Sequence, residues 1–503
     1  MPLKIPMAGS LGCGPGCDCG SAKDGLLSEI IGSTRAWCQD CLTAEPAFYT
    51  SDAGGVFLER LCPRSGARRI KIAESKKWYS SRLSCGLTVN PPEQARPVLR
   101  GCPNDCGPCR AHLGRLRLPI FSITNQCQLA CPICFTHNRK DRIYHKSPEE
   151  LERLLDVIEA GSEYLDLINL TGGEPTLHPN LPDLLRRCAK RHFGMVSMNS
   201  NGLIIGDNQG LAETIKELGA QIILSLDTMR PEKSLIIHGA DIVQSKLEAL
   251  AMLERLDIPT AILMVWIPGI NDDEIPALVA KYLFKGFVKG ISIQTIAFTG
   301  YHGSRFQPRR RATLEEVENA FGRSGLFDKS DFFAHGSYHP LCYSVAYYLV
   351  DGGEKIPLTR LAEAPVLTRA TQFGYLMSPT KELTDCLLEK INELWASKSS
   401  PVWLGILKKM IRLLNGSQAQ ASGDLSVDRA LGKSINKSGL IKTLTIHAHM
   451  DHDNFDLARV ATCGDLVPEE SGELRPACAY NLIYRQRDPR FWTGPAGACR
   501  PMN

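Results

Sequence analysis

Thr124-Asn125-Gln126-Cys127-Gln128-Leu129-Ala130-Cys131-Pro132-Ile133-Cys134-Phe135 decides the reading of this chain. It directly follows the apolar run 118–124 and spaces three cysteines as CxxxCxxC. Three thiolates so spaced can hold three corners of a [4Fe–4S] cluster and leave the fourth iron without a protein ligand, whereas electron carriers ligate all four irons. An open iron can bind a substrate. The plain alternative is a structural zinc, but zinc sites close with four ligands, usually as paired CxxC.

Working outward, a second apolar run leads into Gly172-Gly173-Glu174-Pro175. Strand candidates lie at 118–124, 164–170, 195–199, 221–226, 260–266 and 290–297, each short, apolar and often β-branched. Helical stretches separate them. The clearest opens with Ser147 as N-cap, Pro148 at the first helical position and Glu150 at the capping-box position, and ends at Gly161. Repeated βα units with right-handed crossovers predict an α/β fold, a parallel sheet curling into a partial (β/α)6 barrel. In such barrels the site lies at the C-terminal ends of the strands. That rule brings four motifs to one mouth: the three cysteines, Gly172 to Pro175, Asn199-Ser200-Asn201-Gly202 and Ser225-Leu226-Asp227.

CxxxCxxC after a first strand, with GGEP after a second, resembles radical S-adenosylmethionine (radical SAM) enzymes. The resemblance implies an open iron that chelates the methionyl amino and carboxylate groups and a one-electron cleavage to a 5′-deoxyadenosyl radical. It also implies a reducing partner such as ferredoxin or flavodoxin. Gly172 and Gly173 would lie against the amino group with Glu174 nearby. Asn199, Ser200, Ser225 and Asp227 stand where ribose and carboxylate contacts are usual, though polar residues at strand ends also serve as helix caps.

The remaining cysteines narrow the resemblance. Cys38 and Cys41 form CxxC, followed by Cys62-Pro63; Gly101-Cys102-Pro103-Asn104-Asp105-Cys106-Gly107-Pro108-Cys109 is a second CxxxCxxC. Downstream come His339-Pro340-Leu341-Cys342, a run from Asn454-Phe455-Asp456-Leu457 to Cys463, and Cys478-Ala479-Tyr480-Asn481. This ordered set resembles the tetraether lipid synthase family, also described as methylases of 7,8-dihydro-6-hydroxymethylpterin, from about Cys38 to Asn481. The resemblance implies a mononuclear iron or zinc site at Cys38, Cys41 and Cys62, and an auxiliary [4Fe–4S] cluster at Cys102, Cys106 and Cys109. It makes Cys342, Cys463 and Cys478 further auxiliary-cluster ligands. Where the family pattern often reads Cys-Pro-x-His-Gly, this chain has Cys62-Pro63-Arg64-Ser65-Gly66, so a histidine is missing. Cys85 is the expected substitute, unless the site is degraded.

Composition bounds the rest. At roughly 150 residues per domain, 503 residues predict about three. The regions are a cysteine-rich metal region at 1–117, the radical SAM core at 118–335 and a C-terminal region with auxiliary-cluster cysteines at 336–503. A net charge of +4 gives no case for nucleic acid. Nineteen cysteines, with no apolar leader and no membrane-length apolar window, predict metal binding in a reducing cytoplasm. Cys188 and Cys386 read as small core residues. Cys13, Cys17 and Cys19 read as metal ligands or a glycine-rich tail, with Cys499 similar. Residues 416–439 read as a linker. The basic, apolar stretch 401–414, with Lys408, Lys409 and Arg412, reads as a core helix or a peripheral membrane contact. Arg309-Arg310-Arg311 reads as a solvated turn or a phosphate clamp.

Two function classes follow. One is an enzyme acting on unactivated carbon, joining lipid alkyl chains as the tetraether resemblance implies or methylating a pterin or other small heterocycle. The other is a multicluster electron-transfer protein, against which GGEP argues, since a carrier needs no methionine site.

Overall fold

The computed structural model describes residues 28–85, 91–92, 95–136, 138, 142–161, 165–351, 353–378, 380–396, 404–405, 407–408, 439–488 and 490–491. Cys13, Cys17, Cys19, Cys499 and nearly all of 401–438 lie outside the described residues. Four antiparallel strands in sequential order come first: β1 (Glu29–Cys38), β2 (Thr43–Asp52), β3 (Gly55–Cys62) and β4 (Gly66–Ala73). The β3–β4 turn places Cys62 and Ser65 beside the β1–β2 turn that carries Cys41. Helix α1 (Lys76–Ser84) starts at Ser75, whose hydroxyl accepts from Trp78 N.

The core sheet is parallel. β5 (Leu118–Thr124), β6 (Ile168–Gly172), β7 (Val196–Ser200), β8 (Gln221–Ser225), β9 (Thr260–Trp266) and β10 (Val288–Thr295) pair in that order. Helix α2 (Pro148–Ala160) follows the three-cysteine loop and carries the capping box expected at Ser147 and Glu150; its buried face is Leu151, Leu154, Leu155 and Ile158. Of the expected second strand, residue 164 lies outside the described residues. Helices α3 (Pro231–His238), α4 (Val243–Arg255) and α5 (Leu314–Arg323) complete the elements used below.

From Phe333 on, the chain adds further strands to this same sheet. β11 (Phe333–Ala334), β12 (Tyr343–Asp351) and β13 (Glu354–Pro357) are antiparallel, β14 (Ile441–Ala448) runs parallel to β10, and β15 (Asp465–Pro468) runs parallel to β5 before turning into β16 (Leu474–Pro476). The six core strands are therefore flanked on both sides by parallel strands from late in the chain. The two flanks meet through Asp465, which accepts from Tyr338 Oη at 2.7 Å and Tyr343 Oη at 2.6 Å.

Ion pairs fasten the parts. Glu318 on α5 accepts from Trp78 Nε1 at 2.7 Å and pairs with Arg82, and Glu315 accepts from the backbone of Glu74 and Ser75. The arginine run is taken up similarly. Arg311 donates to Asp451 at 2.9 Å and pairs with Asp453, which also binds Arg309 and Arg68, while Arg310 pairs with Glu316. Both aspartates are buried, so Arg309 and Arg311 link a barrel loop to the late segment. Of 401–414, Leu407 is buried in the core and Lys408 lies over the Trp395 ring. Among the described residues no helix is long and apolar enough to cross a membrane.

Candidate active site and metal centres

The glycine pair sits where no side chain fits. Gly173 N donates to Thr124 O at 2.8 Å and Glu174 N to Gln126 O at 2.7 Å, so the GGEP loop is laid on the chain leading into Cys127. A Cβ on Gly172, whose φ is +141°, would lie 2.1 Å from Thr124 O; one on Gly173 would lie 2.1 Å from Gln126 O. The close approach serves backbone packing at the cluster loop.

Glu174 faces its own protein. Its carboxylate accepts from Thr176 Oγ1 at 2.6 Å, Ser200 Oγ at 2.9 Å and Asn201 N at 2.7 Å, tying the ends of β6 and β7 together. Ser225 Oγ accepts from Lys246 Nζ at 2.9 Å, and the same ammonium donates to Asn201 O. Asp227 is buried, accepts from Val265 N at 2.6 Å and lies 3.5 Å from His238. Burial pushes its carboxyl up to about 6, and burial pushes His238 down to about 3, leaving a neutral imidazole. Asn199 accepts from Asn169 at 2.8 Å.

Lys246 and His238 were not anticipated from sequence. Lys246 occupies the apolar stripe of α4 with Ala249, Leu250 and Leu253, and a lysine at a core position is the signal that could have found it. Burial lowers its ammonium to about 8, against the pull of Asp227, Glu174, Cys131 and Cys127. One cation thus stands among two carboxylates and two thiols.

Cys127, Cys131 and Cys134 form one electrostatic group. Burial raises Cys127 to about 11, with Glu174 and Cys134 adding to it; burial raises Cys131 further, with Cys134, Cys127 and Asp227 adding. Cys131 Sγ lies 3.8 Å from His238 Nδ1, and Cys134 Sγ 3.0 Å from Thr136 Oγ1. Three thiols on one loop, a fixed glycine cradle and a buried ammonium fit a [4Fe–4S] cluster with S-adenosylmethionine at its open iron.

Cys38, Cys41 and Cys62 converge differently: their sulfurs lie within 4.8 Å of one another, a spacing suited to one ion. Cys85 sits apart at the end of α1, donating to Ser81 O. Ser65 stands beside the triad instead, with Oγ 3.1 Å from Cys38 Sγ and N 3.4 Å from Cys62 Sγ. Hydrogen bonds from Ser65 lower Cys62 to about 6, and burial with its thiol neighbours raises Cys41 to about 11.

The other cysteines interleave. Cys342, Cys463 and Cys478 line one small cavity with His449 and Arg459, and Arg459 Nε donates to Cys342 Sγ at 3.3 Å. The guanidinium is buried against sulfur, a setting suited to an anionic group. Cys102 and Cys106 hydrogen-bond to each other, Cys109 is buried close by in the same loop, and Cys463 acts electrostatically on Cys106. Gly107 packs on Leu474 O, where a Cβ would lie 2.4 Å away. Cys188 and Cys386 lie on helices, the first buried and the second partly exposed.

Inside the parallel sheet lies a cavity of about 510 Å³. Phe135 and Thr136, just past the cluster cysteines, line it beside Asn199 and Asn169. An aromatic wall faces them: His447 stacks on Tyr343 at 3.9 Å and 12°, with His449 at 4.1 Å from His447. Burial lowers His335 and His449 to about 4 and pushes Asp465 up to about 6, so the imidazoles are neutral at neutral pH.

Residues 121–281 match the Radical SAM superfamily. The chain is 25% identical over 492 residues to a 7,8-dihydro-6-hydroxymethylpterin dimethyltransferase of Methanocaldococcus jannaschii, covering 90% of this chain and 94% of that protein. It is 34% identical over 207 residues to a GTP 3′,8-cyclase of Syntrophomonas wolfei, covering 39% of this chain and 62% of that one. A solved structure of Streptococcus suis SuiB bound to S-adenosylmethionine is similar at a TM-score of 0.36 and 16% identity, over 56% of this chain and 68% of that one.

Proposed function

Because this chain is a radical SAM enzyme, we propose that it methylates a small, planar, polar heterocycle of the pterin type within the 510 Å³ cavity. The observation that carries this reading is the lining of that cavity. Neutral imidazoles, phenols and carboxamides can hydrogen-bond the lactam and amino groups of such a ring, and the Tyr343–His447 stack can take its face. An alkyl chain could form no hydrogen bond with any of these groups. The nearly full-length similarity to a pterin dimethyltransferase supports the same substrate class.

Bound together, the cluster and S-adenosylmethionine supply a 5′-deoxyadenosyl radical able to take hydrogen from unactivated carbon. The chain's own residues prepare the place. Gly172 and Gly173 hold the loops in register, Glu174 and Lys246 lock the ends of β7 and β8, and Asn199 opens onto the cavity. Cys342, Cys463 and Cys478 would hold one auxiliary cluster and Cys102, Cys106 and Cys109 another. Cys38, Cys41 and Cys62 would hold a single iron or zinc ion. A small reductant of the ferredoxin or flavodoxin type would deliver the electron.

The test is turnover by anaerobically reconstituted enzyme with S-adenosylmethionine and reductant. Methylated product is expected from 7,8-dihydro-6-hydroxymethylpterin and no change in an offered diether phospholipid. Joined or modified lipid chains with unchanged pterin would move the assignment to the tetraether-type reaction.

A further inference from the structure

Arg485 presents a buried guanidinium to the cavity. It follows the turn of π-helix at Tyr480–Tyr484, is 5% exposed and lines the same space as Phe135 and Asn199. Neither Nε nor Nη1 has a hydrogen-bond partner among the described residues. The guanidinium is held between the Tyr480 ring at 4.9 Å and the Phe491 ring at 5.3 Å, which fixes its plane. Asp488, the carboxylate that acts electrostatically on it, is taken by Arg490, whose Nε donates to Oδ1 at 2.8 Å and Nη2 to Oδ2 at 2.5 Å. One turn before Arg485, Asn481 also lines the cavity, and its Oδ1 is buried without a hydrogen-bond partner among the described residues.

A buried guanidinium whose Nε and Nη1 bond nothing among the described residues is costly, and a site that keeps one is built to meet an anion. The rigid fork of a guanidinium matches carboxylate and phosphate oxygens in pairs. Asn481 beside it offers an acceptor to an N–H or O–H of the same ligand. The charge of Cys134 acts on Arg485, so the pair stands at the cluster end of the cavity.

We propose that Arg485 and Asn481 form a recognition subsite for an oxyanion substituent of the substrate, with phosphate the best match. The proposal rests on the cavity being the substrate site. It adds a preference for a charged form of the heterocycle over the neutral one.

The experiment measures binding to the reconstituted, S-adenosylmethionine-loaded protein by calorimetry. Three probes are used: 7,8-dihydro-6-hydroxymethylpterin, the same pterin carrying a phosphate monoester on its hydroxymethyl oxygen, and glycerol 1-phosphate. The phosphorylated pterin should bind more tightly than the neutral one by a factor on the order of ten or more. Arg485→Gln should remove that preference, Arg485→Lys should restore part of it, and neither should change the affinity for S-adenosylmethionine. If neither pterin binds but glycerol 1-phosphate binds wild type and not Arg485→Gln, the heterocycle reading fails and the subsite stands as one for a lipid head group. Should Arg485→Gln not fold, Asn481→Asp supplies an internal countercharge and should abolish the preference in its place. Equal phosphate binding by wild type and variant, or a loss confined to S-adenosylmethionine, would overturn the proposal.

Discussion

Ser65 Oγ stands 3.1 Å from the sulfur of Cys38, at the position where the family pattern more often has histidine. A serine hydroxyl is a poorer ligand than imidazole for zinc or ferrous iron. The triad of Cys38, Cys41 and Cys62 should therefore hold its ion less tightly than a four-ligand site. Metal analysis after dialysis against a chelator should show Ser65→His and Ser65→Cys retaining one more ion per chain than wild type. Equal retention would mean that Ser65 is not at the metal.

Gly172→Ala and Gly173→Ala force a methyl to within 2.1 Å of a carbonyl oxygen. Each should cost about 1–3 kcal/mol in stability. Each should also displace the loop leading into Cys127, with loss of 5′-deoxyadenosine formation. Thermal unfolding and product chromatography check this, and an active, fully stable Gly173→Ala protein would refute it.

Lys246→Met removes a buried cation from beside Asp227, Glu174, Cys131 and Cys127, leaving their charge buried. The expected loss is on the order of 3 kcal/mol. Because the missing ammonium also holds Asn201 O and Ser225 Oγ, affinity for S-adenosylmethionine should fall in the same variant. Denaturant melts and equilibrium binding measure the two effects separately.

Two CxxxCxxC runs and three late cysteines predict iron well beyond the roughly four atoms of one cluster after anaerobic reconstitution. Cys131→Ala should abolish cleavage of S-adenosylmethionine. Cys106→Ala should retain some cleavage and lose product. A preparation that saturates at one cluster would remove the auxiliary sites.

Lys442 gives a pH signature. Its Nζ donates to Lys285 O at 2.8 Å, and burial lowers it from 10.5 to about 8. Below pH 8 the lysine is charged in folded and unfolded chains alike. Between 8 and 10.5 only the unfolded chain binds the proton, so this residue's share of stability rises with pH across that window. The difference in melting temperature between wild type and Lys442→Met should grow in favour of wild type from pH 8 to 10. A flat difference would contradict the assignment.

Local signals carried far in this chain. The Ser147–Glu150 capping box is present, and β5 and β9 have the bounds their apolar runs suggest. Contacts across long sequence separations were not legible. Arg311 reads as a solvated turn until Asp451, 140 residues on, is seen to hold it. β14 and β15 carry no local mark of joining a parallel sheet, because pairing depends on edges that β10 and β5 leave open. Lys246 was legible in principle as a lysine on an apolar stripe. Arg485 was not, since only the cavity and the pairing of Asp488 with Arg490 make its isolation visible.

The parallel pairing of β15 with β5 also orders events on the ribosome. The first core strand emerges early, yet its outer neighbour begins at Asp465, which pairs with Leu118, so during synthesis the start of β5 stays unpaired on that edge until residue 465 has been made. An open strand edge is a template for pairing with another chain. The nascent chain must therefore keep that edge from other chains until the late segment docks.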